Sequence, residues 1–395
     1  GHHRRQRQMC IRDRYNIKKS NILDIKNSKL NKEIGILICG HGSRNKLAIK
    51  EFKILAQCIQ ERFPSLKVEY GFLEFAKPSL TDGLEKLKQN SVKKVIAIPA
   101  MLFAAGHVKN DIPTVLMNFA RNNGIEISYG RELGINNLMI SAACERVKDV
   151  FKNNEKLKPS ESVLVVVGRG SSDPDANANV AKITRMIVEG LGMGWGETVF
   201  SGVTFPLVEP GLNHIVKLGY KNIVLFPYFL FTGVLVSRVR RQRDIVAMNN
   251  PNIKFFDAKY LSSHPQVIDT FVERIDEIFR DDNNNYSMNC SLCKYRSNLF
   301  GFEKDVGLLQ ESHHDDVEGI GVSCDLCEAE CSGACEIEIL TNSRNSAIHD
   351  NEIHKDLDPS NENYHHDHSH HHESYPNSQH PLGPLTLQAA NNRES

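Results

Sequence analysis

The sequence predicts an α/β protein made of two similar lobes, each with a parallel four-stranded sheet flanked by helices. Short apolar runs alternate with longer amphipathic segments over residues 33–155, and the alternation is repeated over residues 156–282. Strands separated by helical segments of about a dozen residues imply right-handed crossovers and a parallel sheet. Beyond residue 282 the chain is polar and rich in cysteine and histidine, which predicts an irregular extension.

The elements of the first lobe follow from hydrophobic periodicity. Runs rich in Val, Ile and Leu predict buried strands, and apolar residues that recur every three to five positions predict amphipathic helices. The predicted strands are 34–39, 67–72, 95–99 and 126–129. The predicted helices are 45–63, 79–89, 111–122 and 137–151.

The second lobe is predicted from an internal repeat. Three pairs of residues in equivalent places are separated by the same 128 positions: Gly40 and Gly168, Pro99 and Pro227, and Leu133 and Leu261. A constant spacing at matching points of the pattern indicates that one α/β unit has been duplicated. Two similar lobes also favour a ligand site between them.

Composition limits the classes of function. Lys plus Arg and Asp plus Glu number 48 each, so the net charge gives no reason to expect a nucleic-acid or membrane partner. No apolar run reaches the roughly 18 residues of a membrane span, and no secretory signal is visible, so we expect a cytoplasmic protein. Residues 1–32 begin with an Arg- and Gln-rich stretch that has no apolar period. We interpret them as a non-native or disordered leader, with a transit peptide as the alternative.

Three candidate site residues follow the ends of predicted strands. His41 follows the first strand and His107 the third, both in glycine-containing loops. Adjacent strand ends lie about 5–10 Å apart, so two imidazoles there could share one divalent ion. A histidine alone in such a loop is more often a loop or capping residue, and it is the pair at matching positions that favours a shared site. Glu74 follows the second strand, where a carboxylate could bind metal, accept a proton or hold a cationic substrate. The alternative for Glu74 is a solvated loop acid.

The second lobe differs at all three places. It has Arg169 in place of His41, Leu235 in place of His107, and Phe205 near the place of the glutamate. Residues that only packed the core would have little reason to change to such different chemistry. The asymmetry therefore favours an active first lobe and a supporting second lobe.

Three motifs around these residues resemble the sirohydrochlorin chelatases of cobalamin and sirohaem synthesis, the class II tetrapyrrole chelatases. They are His-Gly-Ser-Arg at 41–44, Phe-Leu-Glu-Phe-Ala-Lys-Pro-Ser at 72–79, and Pro-Ala-Met-Leu-Phe-Ala-Ala-Gly-His-Val-Lys-Asn-Asp-Ile-Pro at 99–113. The duplicated length and the Cys- and His-rich end resemble the long cobaltochelatase form. The resemblance implies an enzyme with two chelatase-like lobes that inserts Co²⁺ into sirohydrochlorin. Insertion of Fe²⁺ or Ni²⁺ stays open.

The resemblance also implies roles for the site residues. His41 would be a cobalt ligand and proton acceptor, His107 the second cobalt ligand, and Glu74 would face the tetrapyrrole. Further substrate contacts are expected at Ser43, Arg44 and Arg169 and in the loop of Leu102, Phe103, Ala104, Ala105 and Gly106. Arginines suit a carboxylate-rich substrate because their guanidinium groups bind carboxylates in a bidentate manner. A second group of arginines is either a further carboxylate site or a solvated helix face: Arg238, Arg240, Arg241 and Arg243.

The residue types agree with metal insertion. The reaction removes two pyrrole protons and delivers a partly desolvated ion, and a histidine can accept a proton and bind metal in its neutral form. The sequence contains no Gly-x4-Gly-Lys-Ser/Thr phosphate loop. We therefore expect insertion without ATP.

A cysteine motif is expected to form a metal site within residues 283–340. Cys290 and Cys293 match a Met-x-Cys-x-x-Cys motif that the long chelatases associate with a 4Fe-4S cluster, although the spacing also suits zinc. A second chain in a homodimer could supply the missing thiolates. Four later cysteines could supply them instead, or form a zinc site of their own: Cys324, Cys327, Cys331 and Cys335.

Residues 341–395 are interpreted as a disordered tail. The tail contains a dense histidine tract: His365, His366, His368, His370, His371 and His372. Flexible histidines bind divalent metals weakly, so a metal-loading role and a silent polar tail are both open. Two rival hypotheses follow, namely a metal-storage protein or metallochaperone acting through the tail, and a redox sensor built on the cysteines.

Overall fold

The computed structural model describes residues 33–279, 292 and 303–306. Within them, eight strands form two parallel four-stranded sheets with the same strand order, in which the first strand of each lobe lies between the second and the third. The predicted α/β fold of two similar lobes is thereby confirmed. The cysteine motif, the later cysteines and the histidine tract lie outside the described residues, as do residues 1–32.

Lobe one is built as the sequence predicts. Its strands are β1 (Ile34–Gly40), β2 (Lys67–Phe72), β3 (Lys94–Pro99) and β4 (Glu126–Tyr129). Its helices are α1 (Lys46–Arg62), α2 (Leu80–Gln89), α3 (Ile112–Asn123) and α4 (Asn137–Lys152). The bounds agree with the predicted ones to within one residue. Residues Asn45 and Ser79 were assigned to helices from periodicity, but they are extended N-caps whose side chains accept backbone N–H bonds from the first turn.

One element of lobe one was not predicted. Residues His107–Asp111 form a π-helical turn that runs directly into α3. Pro113 is the second residue of α3. A five-residue turn is too short to give a hydrophobic period, so the pattern indicated a loop at His107.

Lobe two repeats the same order of elements. Its strands are β5 (Ser162–Gly168), β6 (Trp195–Phe200), β7 (Asn222–Pro227) and β8 (Lys254–Asp257). Its helices are α5 (Pro174–Leu191), α6 (Val208–Ile215), α7 (Val234–Asn249) and α8 (Pro265–Phe279). The duplication extends to the backbone, because Phe75 and Val203, 128 positions apart, both have a positive φ, of 60° and 65°.

The two sheets share one hydrophobic core. Successive side chains of each central strand point to opposite faces, so one set packs inside its own lobe and the other set packs between the lobes. The shared cluster includes Ile36, Ile38, Ile96 and Ile98 of lobe one, and Leu164, Val166, Val224 and Phe226 of lobe two. The lobes therefore form one packed body.

The last helix of each repeat packs against the other repeat. Helix α8 contacts α1, α4 and β3 of lobe one, whereas α4 contacts α5 and β7 of lobe two. The fully buried Arg274 of α8 donates to the main-chain carbonyl of Glu132 over 2.8 Å and to the carbonyl of Leu133. Arg131 of lobe one forms a two-bond pair with Glu277 of α8, with both bonds at 3.0 Å. These contacts fix the carboxyl edge of the first sheet against the second lobe.

None of the helices in the described ranges is both long enough and apolar enough to cross a membrane.

Candidate metal-insertion site

The candidate site lies at the carboxyl edge of the first sheet. His41 follows β1, Glu74 lies two residues beyond β2, and His107 opens the π-helical turn after β3. Because β1 lies between β2 and β3, these three side chains come from neighbouring strands. The carboxyl ends of parallel strands are where ligands bind in open α/β sheets.

Main-chain contacts hold the first two loops together. The Glu74 amide donates to the His41 carbonyl over 2.9 Å, and the Leu73 amide donates to the Gly40 carbonyl over 2.8 Å. Gly42 lies at this junction with φ of +106°, and a Cβ atom there would come within 1.6 Å of the Glu74 carbonyl oxygen. Only glycine allows this close approach, so Gly42 sets the position of Glu74 relative to His41.

The three side chains converge on one point. One donor atom from each of His41, Glu74 and His107 can be chosen so that all three lie within 4.8 Å of one another. The His41 Nε2 atom lies 3.0 Å from Glu74 Oε1, and the two imidazole rings meet nearly at right angles with centroids 4.6 Å apart. Two imidazole nitrogens and one carboxylate oxygen suit a borderline divalent ion such as cobalt, nickel, iron or zinc.

His41 has the electronic state of a metal ligand. Burial is the main cause that lowers its pKa to about 4, the Arg169 guanidinium lowers it further, and Glu74 opposes the shift. The ring is therefore neutral near pH 7. Its Nδ1 lies 3.2 Å from the Gly42 carbonyl, which can only accept a hydrogen bond. Its Nε2 lies 3.0 Å from Glu74 Oε1, which also only accepts, so the single proton of the neutral ring is shared between two acceptors.

Asp111 orients the second histidine. Its Oδ2 lies 2.6 Å from His107 Nδ1, and its other oxygen accepts a bond of 2.8 Å from the Asn110 side-chain amide. A carboxylate at Nδ1 fixes the ring orientation and leaves Nε2 as the metal donor, an arrangement common in metal-binding histidines. Sequence reasoning missed this residue. The signal was present as a histidine and an aspartate four positions apart, which is one helical turn.

Phe75 and Arg44 lie beside the three donors. The Phe75 ring stacks near His41 with centroids 6.1 Å apart, and the Arg44 guanidinium lies 5.0 Å above the Phe75 centroid. Phe75 takes a left-handed backbone, as Val203 does at the equivalent place of lobe two, so this conformation belongs to the duplicated fold. Arg44 is exposed, and its contact with a substrate carboxylate stays a prediction.

Arg169 reaches the site from lobe two. Its Nη2 lies 3.4 Å from His41 Nε2, although the two residues are 128 positions apart. The buried ion pair between Lys109 and Asp173 ties the same loop to the π-helical turn, and both side chains are only 1% exposed. The site is thus built on lobe one and completed by one loop of lobe two.

The other expected substrate residues have different surroundings. Ser43 is buried, and its hydroxyl accepts a bond of 2.9 Å from the Asn45 amide, so it has a local partner within the loop. Ala104 is buried, while Ala105 and Gly106 are half-buried immediately before His107. Leu102 and Phe103 pack on the shared core, and Phe103 stacks on Tyr228 of lobe two at 5.9 Å.

The four arginines of α7 do not form one surface. Arg238 is buried. Arg240 and Arg243 lie 3.8 Å and 2.9 Å from the Asp257 carboxylate at the end of β8. Arg241 is exposed. The arginines are therefore not a wholly solvated helix face, and the carboxylate site stays a prediction.

The corresponding edge of lobe two lacks the three donors. Gly202 occupies the place of Glu74, because its carbonyl approaches Gly170 as that of Glu74 approaches Gly42. Phe205, near this place by sequence, is aligned three residues further along, with Lys77. The second lobe therefore has Arg169, Gly202 and Leu235 where the first has its histidines and glutamate.

Comparison with known proteins identifies the family. The sequence profile of CbiX matches the chain twice, at residues 35–150 and 163–278, which is more than half of its length. The chain belongs to the CbiX family. The two matches coincide with the two lobes, and they confirm the class II chelatase family that the sequence motifs resembled.

Relatives within the CbiX family carry two descriptions. A Priestia megaterium protein named sirohydrochlorin cobaltochelatase is 35% identical over 263 residues, which are 66% of this chain and 84% of that relative. A Bacillus subtilis (strain 168) protein named sirohydrochlorin ferrochelatase is 29% identical over 243 residues, which are 61% and 90% of the two chains.

A solved CbiX-like structure has the same architecture. SirB from Bacillus subtilis with Fe³⁺ superposes with a TM-score of 0.56 at 26% identity, covering 65% of this chain and all of SirB. The shared region is the two-lobed body that carries the site.

Proposed function

We propose that the chain is a sirohydrochlorin cobaltochelatase, a lyase that inserts Co²⁺ into sirohydrochlorin and releases two protons in cobalamin biosynthesis. The observation that carries the proposal is the convergence of His41, Glu74 and His107 within 4.8 Å at the carboxyl edge of lobe one. Membership of the CbiX family and the chelatase names of its relatives support the same reaction.

The proposed roles follow from the chemistry of the donors. His41 and His107 bind the ion through Nε2, and Glu74 is the third donor and a proton acceptor. Three donors leave coordination positions open for the nitrogens of the macrocycle, so the ion is handed over instead of being retained. The neutral His41 accepts a pyrrole proton once the ion has moved to the ring.

Insertion needs no ATP on this account. One divalent cation enters the macrocycle and two protons leave it, so the charge of the macrocycle does not change. The protein contributes desolvation of the ion and a nearby base. Arg44 and Arg169 supply cationic contacts for the substrate carboxylates.

Ferrochelatase activity is the second candidate, and nickel insertion is a third. The ferrochelatase relative and the Fe³⁺ structure of SirB favour iron as the alternative ion. Imidazole and carboxylate donors accept all three metals, and affinity rises from iron to cobalt to nickel in nearly any such site. The cobaltochelatase relative, with its higher identity, favours cobalt.

The decisive experiment is anaerobic metal insertion followed by absorbance. Wild type is compared with His41→Ala, His107→Ala and the control His214→Ala, which removes an exposed histidine of α6. We expect the first two variants to fall to the spontaneous rate and the control to keep the wild-type rate. Parallel reactions with Fe²⁺ and Ni²⁺ rank the ions.

Two results would reject parts of the proposal. If wild type does not exceed the spontaneous rate with any ion, the chelatase function is wrong and the tail-centred metal-storage hypothesis becomes the better one. If both histidine variants keep full activity, the enzyme class stands but the site is wrong.

The iron–sulfur cluster remains a separate proposal that rests on the sequence motif alone. We propose that Cys290 and Cys293 bind part of a 4Fe-4S cluster, completed by the later cysteines or by a second chain. Visible absorbance and iron analysis of anaerobically purified protein, beside the variant with both cysteines changed to Ser, test it. A colourless, iron-free wild type would contradict it.

A further inference from the structure

Arg169 contacts the His41 nitrogen that the proposed metal ion would bind. The Arg169 Nη2 atom lies 3.4 Å from His41 Nε2, and His41 Nε2 in turn lies 3.0 Å from Glu74 Oε1. A guanidinium only donates hydrogen bonds, so it bonds to Nε2 when the proton of the neutral His41 ring is on Nδ1.

A bound ion and this position of Arg169 exclude each other. A first-row divalent ion lies about 2.0–2.1 Å from an imidazole nitrogen. A guanidinium whose nitrogen is 3.4 Å from that same atom would then direct its N–H groups and its charge at the ion. Because like charges repel strongly at short range in a partly desolvated site, the guanidinium has to leave before the ion can bind well.

The loop holds the backbone of Arg169 in place but leaves its guanidinium group room to move. The Ser201 hydroxyl donates to the Arg169 carbonyl over 3.0 Å, and the Ser201 amide donates to the Gly168 carbonyl over 2.9 Å. The buried pair of Lys109 and Asp173 anchors the far end of the loop to lobe one. The side chain of Arg169 is nevertheless exposed.

We propose that Arg169 is a cation that competes with the metal ion, and that a substrate carboxylate draws it away. The inference rests on the proposed function, because it needs a metal site at His41 and a carboxylate-bearing tetrapyrrole. Binding of the tetrapyrrole would then raise the affinity of the site for metal, and by linkage the metal would raise the affinity for the tetrapyrrole. The enzyme would load its ion mainly when the substrate is present. Arg169, which stands in lobe two where lobe one has His41, would thereby act in the site of lobe one.

The first test measures Co²⁺ binding without substrate. The full-length chain is titrated with Co²⁺, and only the part of the visible absorbance that is absent from His41→Ala is analysed, which removes any binding by the histidine tract. Wild type is compared with Arg169→Gln and with the matched control Arg185→Gln, which removes an exposed arginine of α5 paired with Glu189. We expect about tenfold tighter Co²⁺ binding by Arg169→Gln and a change below about twofold for the control, the tenfold gain being one unit of log affinity.

The second test measures sirohydrochlorin binding without metal, by the change in tetrapyrrole fluorescence. Arg169→Gln should bind about tenfold more weakly than wild type and Arg185→Gln equally well, since Arg169 contacts His41 whereas Arg185 pairs with Glu189 on α5. Far-UV circular dichroism checks that both variants fold.

The outcomes separate this inference from the proposed function. If the His41-dependent signal exists but Arg169→Gln binds Co²⁺ no more tightly than wild type, competition is wrong and the metal site stands. If Co²⁺ binding tightens but sirohydrochlorin binding is unchanged, the carboxylate does not draw Arg169 away and coupling is wrong. If wild type and His41→Ala give the same cobalt signal, the metal site and the inference both fall.

Discussion

Asp111 controls how His107 presents its ring to a metal. Its carboxylate lies 2.6 Å from Nδ1, on the side of the ring away from the proposed donor nitrogen. Without that partner the imidazole could rotate or protonate the other nitrogen. A residue that never touches the ion can therefore determine how well the ion is bound.

We predict that Asp111→Asn lowers His41-dependent Co²⁺ affinity about 10- to 100-fold. The amide keeps the shape of the carboxylate but loses its charge, so it holds the Nδ1 proton more weakly. Cobalt titration measures the change, and Asp149→Asn, on an exposed ion pair of α4, should leave the affinity unchanged. Equal affinities in both variants would show that His107 needs no such partner.

Gly42 makes the junction between the His41 and Glu74 loops possible. We predict that Gly42→Ala abolishes most insertion activity and lowers the free energy of unfolding by more than about 2 kcal/mol, because it adds a steric clash to the cost of a left-handed alanine. Denaturant unfolding and the insertion assay measure the two effects.

Gly124 is the matched control for Gly42. It also has a positive φ, at the end of α3, but a Cβ atom there would meet nothing within 4 Å. Gly124→Ala should therefore pay only the backbone cost of about 1–2 kcal/mol and keep full activity. Similar losses of activity in the two variants would contradict the role given to Gly42.

At the scale of elements, the π-helical turn His107–Asp111 joins the site to lobe two. It carries His107 and Asp111 at its ends and Lys109 at its centre. Tyr129 of β4 donates to the Val108 carbonyl over 3.1 Å, and Lys109 pairs with Asp173, whose side chain also accepts from the Asp175 amide at the start of α5. Wider helical turns of this kind are often found at functional sites.

We predict that Lys109→Met lowers the free energy of unfolding by about 3–5 kcal/mol, because it leaves the buried Asp173 charge without its ammonium partner. The double variant with Asp173→Asn should recover part of that loss, since the uncompensated charge is gone and the amide oxygen still caps α5. Denaturant unfolding of the single and double variants measures both. A double variant less stable than Lys109→Met would show that the charge is not the cause.

At the scale of the whole molecule, the two repeats form one cooperative body. The shared hydrophobic core contains residues of both sheets, and α8 of lobe two packs on α1, α4 and β3 of lobe one. A protein with one shared core should unfold in one transition. The single tryptophan, Trp195, lies in lobe two, so its fluorescence reports on one lobe while circular dichroism reports on both.

We predict that Arg274→Met lowers the free energy of unfolding by more than about 3 kcal/mol, since two buried carbonyls and a carboxylate lose a donor. The control Arg62→Ala removes an exposed pair with Asp269 that joins α1 to α8, and it should cost at most about 1 kcal/mol. Fluorescence and circular dichroism should give the same midpoint in wild type. Two separate midpoints would show that the lobes unfold independently.

Much of the fold could be predicted because its signals are local. Apolar runs and helical periods gave the elements of lobe one to within one residue, and the 128-residue repeat gave the second lobe. His41, Glu74 and His107 could be grouped because each follows a strand end. The substrate contact of Ser43 stays a prediction, and the structure adds that its hydroxyl accepts a bond from the Asn45 amide, as serines before a helix often do.

The sequence by itself determined the α/β class, the duplication, the family motifs and the three candidate site residues at strand ends. These depend on periodicity and on order along the chain, which the sequence states directly. Only the tertiary structure decided that α4 and α8 pack across the repeats, that Asp111 orients His107, and that Arg169 meets His41. Such contacts depend on how two lobes pack through a shared core, and no local pattern of residues specifies the distance between side chains 128 positions apart.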